Sequence, residues 1–238
     1  MQPLGYELEY RREIRKLIRE TAVVVRETIE PRYTEWSKFR DSEGWFAELR
    51  MVGSSVGARM RNTIGNLFRR IAERHTEKWQ REVKRSMSVD ISGIIASEDL
   101  QEPINDAVSK NVSLITSLET QLLTDVERIV LDAKDLGKSW HQISPQIVER
   151  FGVAQSKGDL IARDQMAKIN SSFSKIRQEQ AGIKKYEWST SMDERVRDLH
   201  AALNGTVYEW RKPTGAEQGL PPGMPIQCRC VAIAIIES

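Results

Sequence analysis

Gln178-Glu179-Gln180-Ala181-Gly182-Ile183-Lys184-Lys185-Tyr186-Glu187-Trp188-Ser189 is where the chain changes period. Before it, Leu160, Ile161, Met166, Ile169, Phe173 and Ile176 recur at the three- and four-residue spacing of one helical face, which predicts a helix over 156–180. Gly182 supplies its stop. After it, Lys184 to Ser189 alternates with the two-residue period of a strand. The reading is a mainly α chain, with a long helical N-terminal body followed by a small α+β C-terminal module. The body is assigned to 1–155 and the module to 156–238, the latter as a connecting helix at 156–181 and an α+β portion at 183–238.

Downstream of the switch, Glu194 to Leu203 reads as a short helix stopped by Asn204-Gly205, and Thr206 to Trp210 as β-rich. Arg211 to Gln227 is a Gly- and Pro-rich loop, and Cys228 to Ile236 a β-branched run. Cys228 and Cys230 sit at i and i+2, so a strand would put both on one face. A disulfide between them is not expected at that spacing. With His200 they offer three of the four ligands that zinc takes, and Asp193 or Asp198 is available as the fourth. The competing and favoured reading is structural: small buried cysteines on a core strand, with His200 hydrogen-bonded against the strand end. Asp193 near a helix start suits a cap, and Arg195 or Arg229 can clamp a carboxylate bidentately. Such a network either fixes the Pro-rich loop over the small sheet or presents a docking surface to a partner protein. No catalytic set is expected. His75, His141 and His200 fall in separate elements, and the chain has no nucleophile elbow, phosphate-binding Gly-rich loop or His-Glu-x-x-His.

Upstream, Ile14, Leu17, Ile18, Val25 and Ile29 mark a first helix, which Pro31 is expected to end. Tyr33, Trp36 and Phe39 follow as an aromatic connector. A second helix is expected from Trp45 to Lys84 on the stripe Leu49, Val52, Val56, Met60, Ile64, Leu67, Phe68, Ile71, His75 and Trp79, interrupted by Gly53, Gly57 and Gly65. Met87 to Pro103 reads as a break. Val112, Ile115, Leu118, Leu122, Val126, Ile129 and Val130 define a third helix stopping at Gly137. Ser139 is expected to cap a short helix through Glu149 that Phe151-Gly152 closes.

The 238 residues carry 39% hydrophobic and 29% charged side chains and a net charge of +2. This is the composition of a folded protein with solvated helices. From Arg50 to Arg85 there are ten basic and three acidic residues, a local excess of seven. Arg59, Arg61, Arg69, Arg70, Arg74, Lys78, Arg81, Lys84 and Arg85 are candidates for DNA phosphates or an acidic partner, against the ordinary meaning of a solvated helix face. No base-reading motif accompanies them, so any DNA contact would be blind to sequence. Met1 to Glu20 lacks the apolar core of a signal peptide and no apolar run reaches the roughly 20 residues of a membrane span, so the expectation is a cytosolic product without a membrane partner.

One pattern draws these residues together. Tyr186-Glu187-Trp188-Ser189-Thr190, then Asp193-Glu194-Arg195-Val196-Arg197, His200, Asn204-Gly205, Pro221-Pro222-Gly223 and Cys228-Arg229-Cys230 resemble, in that order, the phage minor head protein, or head morphogenesis, family with a Mu F-like C-terminal domain. Leu160-Ile161-Ala162-Arg163-Asp164-Gln165 is similar to what precedes the motif in such proteins. The resemblance implies a structural role for Trp188, Asp193, Arg195, Arg197, His200, Gly205, Pro222, Cys228, Arg229 and Cys230. It also implies a virion protein inside the capsid near the portal vertex, present in several copies and made in the host cytoplasm. The partners implied are the portal protein, then the major capsid or scaffold protein, and packaged DNA through its phosphates. No cofactor is expected beyond the zinc considered above. One departure stands out: many relatives carry a histidine shortly before the first cysteine, where this chain has Met224 and none. The alternatives are a sequence-nonspecific DNA-binding protein built on the basic helix and a zinc-dependent enzyme using Cys228, Cys230 and His200.

Overall fold

The computed structural model describes residues 4–35, 43–87 and 100–235. Its long helices are α1 (Leu4–Glu35), α2 (Glu43–Met87), α3 (Gln101–Asp135) and α4 (Trp140–Gln180). There follow β1 (Lys185–Ser189), the one-turn helix α5 (Asp198–Ala202), β2 (Val207–Glu209), a 3-10 turn at Glu217–Gly219 and β3 (Val231–Ile235). The fold is mainly α with a small α+β module at its C-terminal end. No described helix is long and apolar enough to cross a membrane.

Two expected breaks are absent. α1 runs through Pro31. Pro31 and Glu27, whose carbonyl loses its donor there, are both exposed, so solvent can satisfy it. Buried Ile29 and Tyr33 hold the final turns, and the Tyr33 hydroxyl donates to the Lys138 carbonyl at 2.7 Å. Pro103 lies in the first turn of α3, where its missing N–H would have had no helical partner anyway. α4 passes through Phe151-Gly152 and Ser156 without interruption. Gly152 costs about 1 kcal/mol in a helix interior, which burial of Phe151 and Ala154 beside it offsets. The expected caps hold. Ser139 precedes α4, and the Gln142 side chain accepts its N–H at 2.8 Å, half of a capping box. Gly137 and Gly182 both take positive φ and close Schellman turns, with Lys138 N–H to the Ala133 carbonyl at 2.9 Å and Ile183 N–H to the Gln178 carbonyl at 2.8 Å. Trp36, Phe39 and residues 88–99 of the expected break lie outside the described residues, as do the side chains of Trp45, Leu49, Val52 and Val56.

By internal contacts the chain divides into two units. The described parts of 8–65 and 108–162 form an all-helical one. There Tyr10 and Thr21 of α1 meet Asn111 and Glu119 of α3 at 2.8 and 2.9 Å, so the two helices run parallel. Arg15 pairs with Asp159, and Tyr33 stacks near Trp140, so α4 runs antiparallel to α1. Arg59 pairs with Glu20 and Arg32 with Glu48, which sets α2 antiparallel as well. Ile14, Ile18, Val25, Ile29, Ile64, Ile115, Val126, Val130 and Ile143 fill the core. Gly158 of α4 marks the tightest approach: a Cβ there would lie 2.6 Å from Cγ2 of Ile14. Gly158→Ala is expected to destabilise the protein by about 1–3 kcal/mol through overpacking, despite alanine's better helix propensity. Urea denaturation checks this, and a stabilised variant would contradict it.

The other unit comprises the described parts of 1–7, 66–107 and 163–238. Its buried helical stripe is Met166, Ile169, Phe173 and Arg177 on α4, with Leu67, Phe68 and Ile71 on α2. Trp79, expected in the core, is half-buried, and Leu160 of the all-helical unit, expected on the apolar face of α4, is 49% exposed. The sheet has the order β2-β1-β3, antiparallel throughout, with Tyr186 opposite Tyr208 and Trp188 opposite Ala232. Central β1 therefore turns Tyr186 and Trp188 to the buried face. α4 anchors the sheet through Gln178, which donates to the Ala232 carbonyl at 3.2 Å and accepts the Trp210 indole N–H at 2.9 Å.

Candidate functional site

The motif residues converge beside the sheet. Asp193 opens a turn in which its carboxylate accepts the Arg195 N–H at 3.0 Å. The same carboxylate takes a fork of two bonds from Arg229, at 2.7 and 2.5 Å. That guanidinium holds the Asp193 carboxyl below the ordinary carboxylate range. The clamp is thus made by Arg229, and the Arg195 side chain is exposed. Arg197 donates to the Ile226 carbonyl and pairs with Glu217 at 3.3 Å. These bonds tie the turn before α5 to the middle and the far end of the Pro-rich loop.

The loop is also fixed to α4. The Ser171 hydroxyl donates to the Pro222 carbonyl at 2.7 Å, and Asp164 accepts the Gln227 N–H at 2.9 Å. Gly223, at φ +85°, fits between them: a Cβ there would sit 3.0 Å from Ser171 Cβ and 3.2 Å from the Ala167 carbonyl. Gly205, also at positive φ, follows α5 and turns the chain into β2, as expected.

Beneath this frame lie three buried donors. His200 of α5, Cys228 and Cys230 are 2%, 2% and 4% exposed. The His200 Nδ1 atom stands 3.5 Å from Cys228 Sγ and 3.6 Å from Cys230 Sγ. Its Nε2 is 2.7 Å from a Glu217 carboxylate oxygen. Glu217 therefore favours the proton on Nε2 and leaves the Nδ1 lone pair facing both sulfurs. The same bond keeps the Glu217 carboxyl below its usual range. Donation from Cys230, aided by the Gly223 N–H at 3.4 Å, brings Cys228 down to about 6, while that bond and burial push Cys230 up. Trp188, fully buried, meets His200 edge-on at 5.3 Å between ring centroids.

Three expectations need correction. Cys228 and Cys230 precede β3, which starts at Val231; irregular backbone rather than strand alternation brings both sulfurs to one side. The short helix begins at Asp198, because the Asp193 turn and the Arg229 clamp occupy 193–197. Asp193 and Asp198 lie outside the convergent group, which among the described residues is His200, Cys228 and Cys230. Glu217 was not singled out in the sequence, since an acidic residue in a Gly-rich loop carries no periodic or motif signal.

The basic residues of α2 differ in their surroundings. Arg50 pairs with Glu127 at 3.0 Å, Arg59 with Glu20 at 3.4 Å, and Arg69 bonds Asn66 at 3.1 Å. Arg61 is exposed and lines an open groove with Ser113, Thr116, Ser117 and Thr120. Arg70, Arg74, Lys78 and Arg81 are exposed at the spacing of a single helical face, and Arg74 also covers the Tyr6 ring. The side chains of Lys84 and Arg85 lie outside the described residues.

Comparison with known proteins agrees with the motif. An uncharacterised protein of Haemophilus influenzae is 33% identical over 175 residues, which cover 73% of this chain and 38% of that protein. The chain thus spans well under half the length of that relative. No solved structure matches this chain. Residues 124–233, which include α4, β1, β2, the start of β3 and every residue of the clamp, match the family described as Phage Mu protein F like protein, the family that the motif resembles.

Proposed function

We propose that this chain is a structural minor head protein of a tailed phage that binds the portal inside the capsid and takes part in head assembly, DNA packaging or ejection. The family match over 124–233 carries the reading, since a Mu F-like segment points to phage head morphogenesis and to the virion. The site's construction supports a structural role over a catalytic one. Asp193, Arg197, Arg229 and Ser171 spend their polar groups on holding the chain's own turn, loop and helix together. The long helices are the proposed grip on the portal, with the major capsid or scaffold protein as a further contact. The exposed face of Arg70, Arg74, Lys78 and Arg81 suits the phosphates of packaged DNA or an acidic patch of the portal.

Co-expression of the chain with the portal protein of the same phage, followed by size-exclusion chromatography, tests the proposal. A stable complex is expected, along with retention in proheads. Failure to join either portal or prohead, combined with DNA binding that falls steeply with salt, would replace this reading with that of a free DNA-binding protein.

A further inference from the structure

We infer that His200, Cys228 and Cys230 form a three-donor site for a soft divalent cation, zinc above all, with Glu217 orienting the histidine. This inference does not depend on the head-protein reading. In a tetrahedral zinc site, bonds of about 2.3 Å to sulfur and about 2.0 Å to nitrogen place those two atoms about 3.6 Å apart. The two sulfurs here stand 3.5 and 3.6 Å from Nδ1. All three donor atoms lie within 4.8 Å of one another. A single Nδ1 lone pair serves one S–H donor, yet both sulfurs are held at the same range. One cation at the common centre uses all three.

The surroundings are those of a thiolate site. The Gly223 N–H points at Cys228 Sγ from 3.4 Å. The indole N–H of Trp188, in the same small core as both cysteines, is buried without a hydrogen-bond partner. Glu217 on Nε2 makes the carboxylate–histidine arrangement that fixes the ring and raises its basicity toward a metal. Two thiolates would balance a divalent charge in a site closed to bulk water, and their protons leave to the buffer on binding. Asp193 is committed to Arg229, so the fourth corner falls to a water molecule.

The test is a titration of the full chain, reduced and metal-free, with Co2+ alone. The expected result is a thiolate-to-cobalt charge-transfer band that saturates at one cobalt per chain, with intense tetrahedral d–d absorption, both removed by Zn2+. Glu217→Gln keeps every donor and is expected to weaken the affinity about 10–100-fold with the spectrum unchanged. Cys228→Ser is expected to abolish the saturable band. Should that variant fail to fold, the wild-type titration decides alone. Absence of the band from folded, reduced wild-type protein overturns the inference, as does a band of unchanged affinity in folded Cys228→Ser. Unchanged affinity in Glu217→Gln overturns the role given to Glu217.

Discussion

Trp188→Ala is expected to destabilise the sheet-bearing unit by about 3–5 kcal/mol, the range for removing a buried aromatic from a core that cannot collapse around the gap. Trp188 has no exposed surface. It sits on β1, the strand paired on both sides, opposite Ala232 of β3. Its ring packs on His200 and, at 6.2 Å between centroids, on Tyr208 of β2. One side chain therefore joins the central strand, the edge strand and α5. With Ala216, Cys228 and Cys230 it forms a small core of its own, partly covered by Leu203 and Tyr208. Such a core has few other large residues to share the load. Urea denaturation read by near-ultraviolet circular dichroism should show the loss. Limited proteolysis should cut the 211–227 loop faster in the variant. Trp188→Phe, which keeps most of the area, should lose less than half as much. A Trp188→Ala protein within 1 kcal/mol of wild type would show that the motif tryptophan does not hold this module together.

The helices were legible because packing and period agree: Val112, Ile115, Leu118, Leu122, Val126 and Val130 of α3 and Ile14, Leu17, Ile18, Val25 and Ile29 of α1 are buried as their spacing requires. Glycine stops at Gly137, Gly182 and Gly205 were legible for a stereochemical reason, since each takes a positive φ. Pro31 and Gly152 misled because their penalties are local and small beside the burial of their neighbours. The core of the sheet-bearing unit was only half legible. Gln165, Arg177 and Gln178 occupy buried helical positions that a hydrophobic pattern assigns to solvent. Hydrogen bonding decides those positions, and its partners are far away in sequence: Arg177 donates to the Ala72 carbonyl at 3.0 Å and to the Thr76 hydroxyl at 2.6 Å. The candidate site shows the same division. His200, Cys228, Cys230 and Arg229 could be picked from motif order, but Glu217, which sets the histidine tautomer, is recognisable only once the loop is folded over α5.

Acid should weaken the sheet-bearing unit well before its carboxylates protonate, and His75 is the reason. The ring is half-buried on α2, bonded to the Ser174 hydroxyl at 3.2 Å and in contact with the Arg177 guanidinium through Nδ1. Burial first, then the positive charges of Arg177 and Lys78, lower its pKa from 6.5 to about 3. The folded protein thus keeps His75 neutral while the unfolded chain protonates it below about 6.5. Between those values the unfolded state binds the extra proton, so stability falls as pH falls. With a discount for partial exposure, the loss from pH 7 to pH 3 is on the order of 3 kcal/mol. Two other trends are separable. Asp193, Glu209 and Glu217 have lowered pKa values, and their contribution is lost only as pH drops through those values, below the usual carboxylate range. Glu119, in the all-helical unit, is raised from 4.5 to about 7 by burial, so its contribution runs the other way, diminishing as pH rises across that interval. Urea denaturation of wild type and His75→Gln, compared from pH 7 down to pH 4.5, isolates the histidine, because every other group is common to both proteins. The glutamine carbonyl can still accept from Arg177 but cannot titrate. Wild type should lose stability over that range relative to the variant, and parallel pH profiles would mean that His75 titrates normally in the fold.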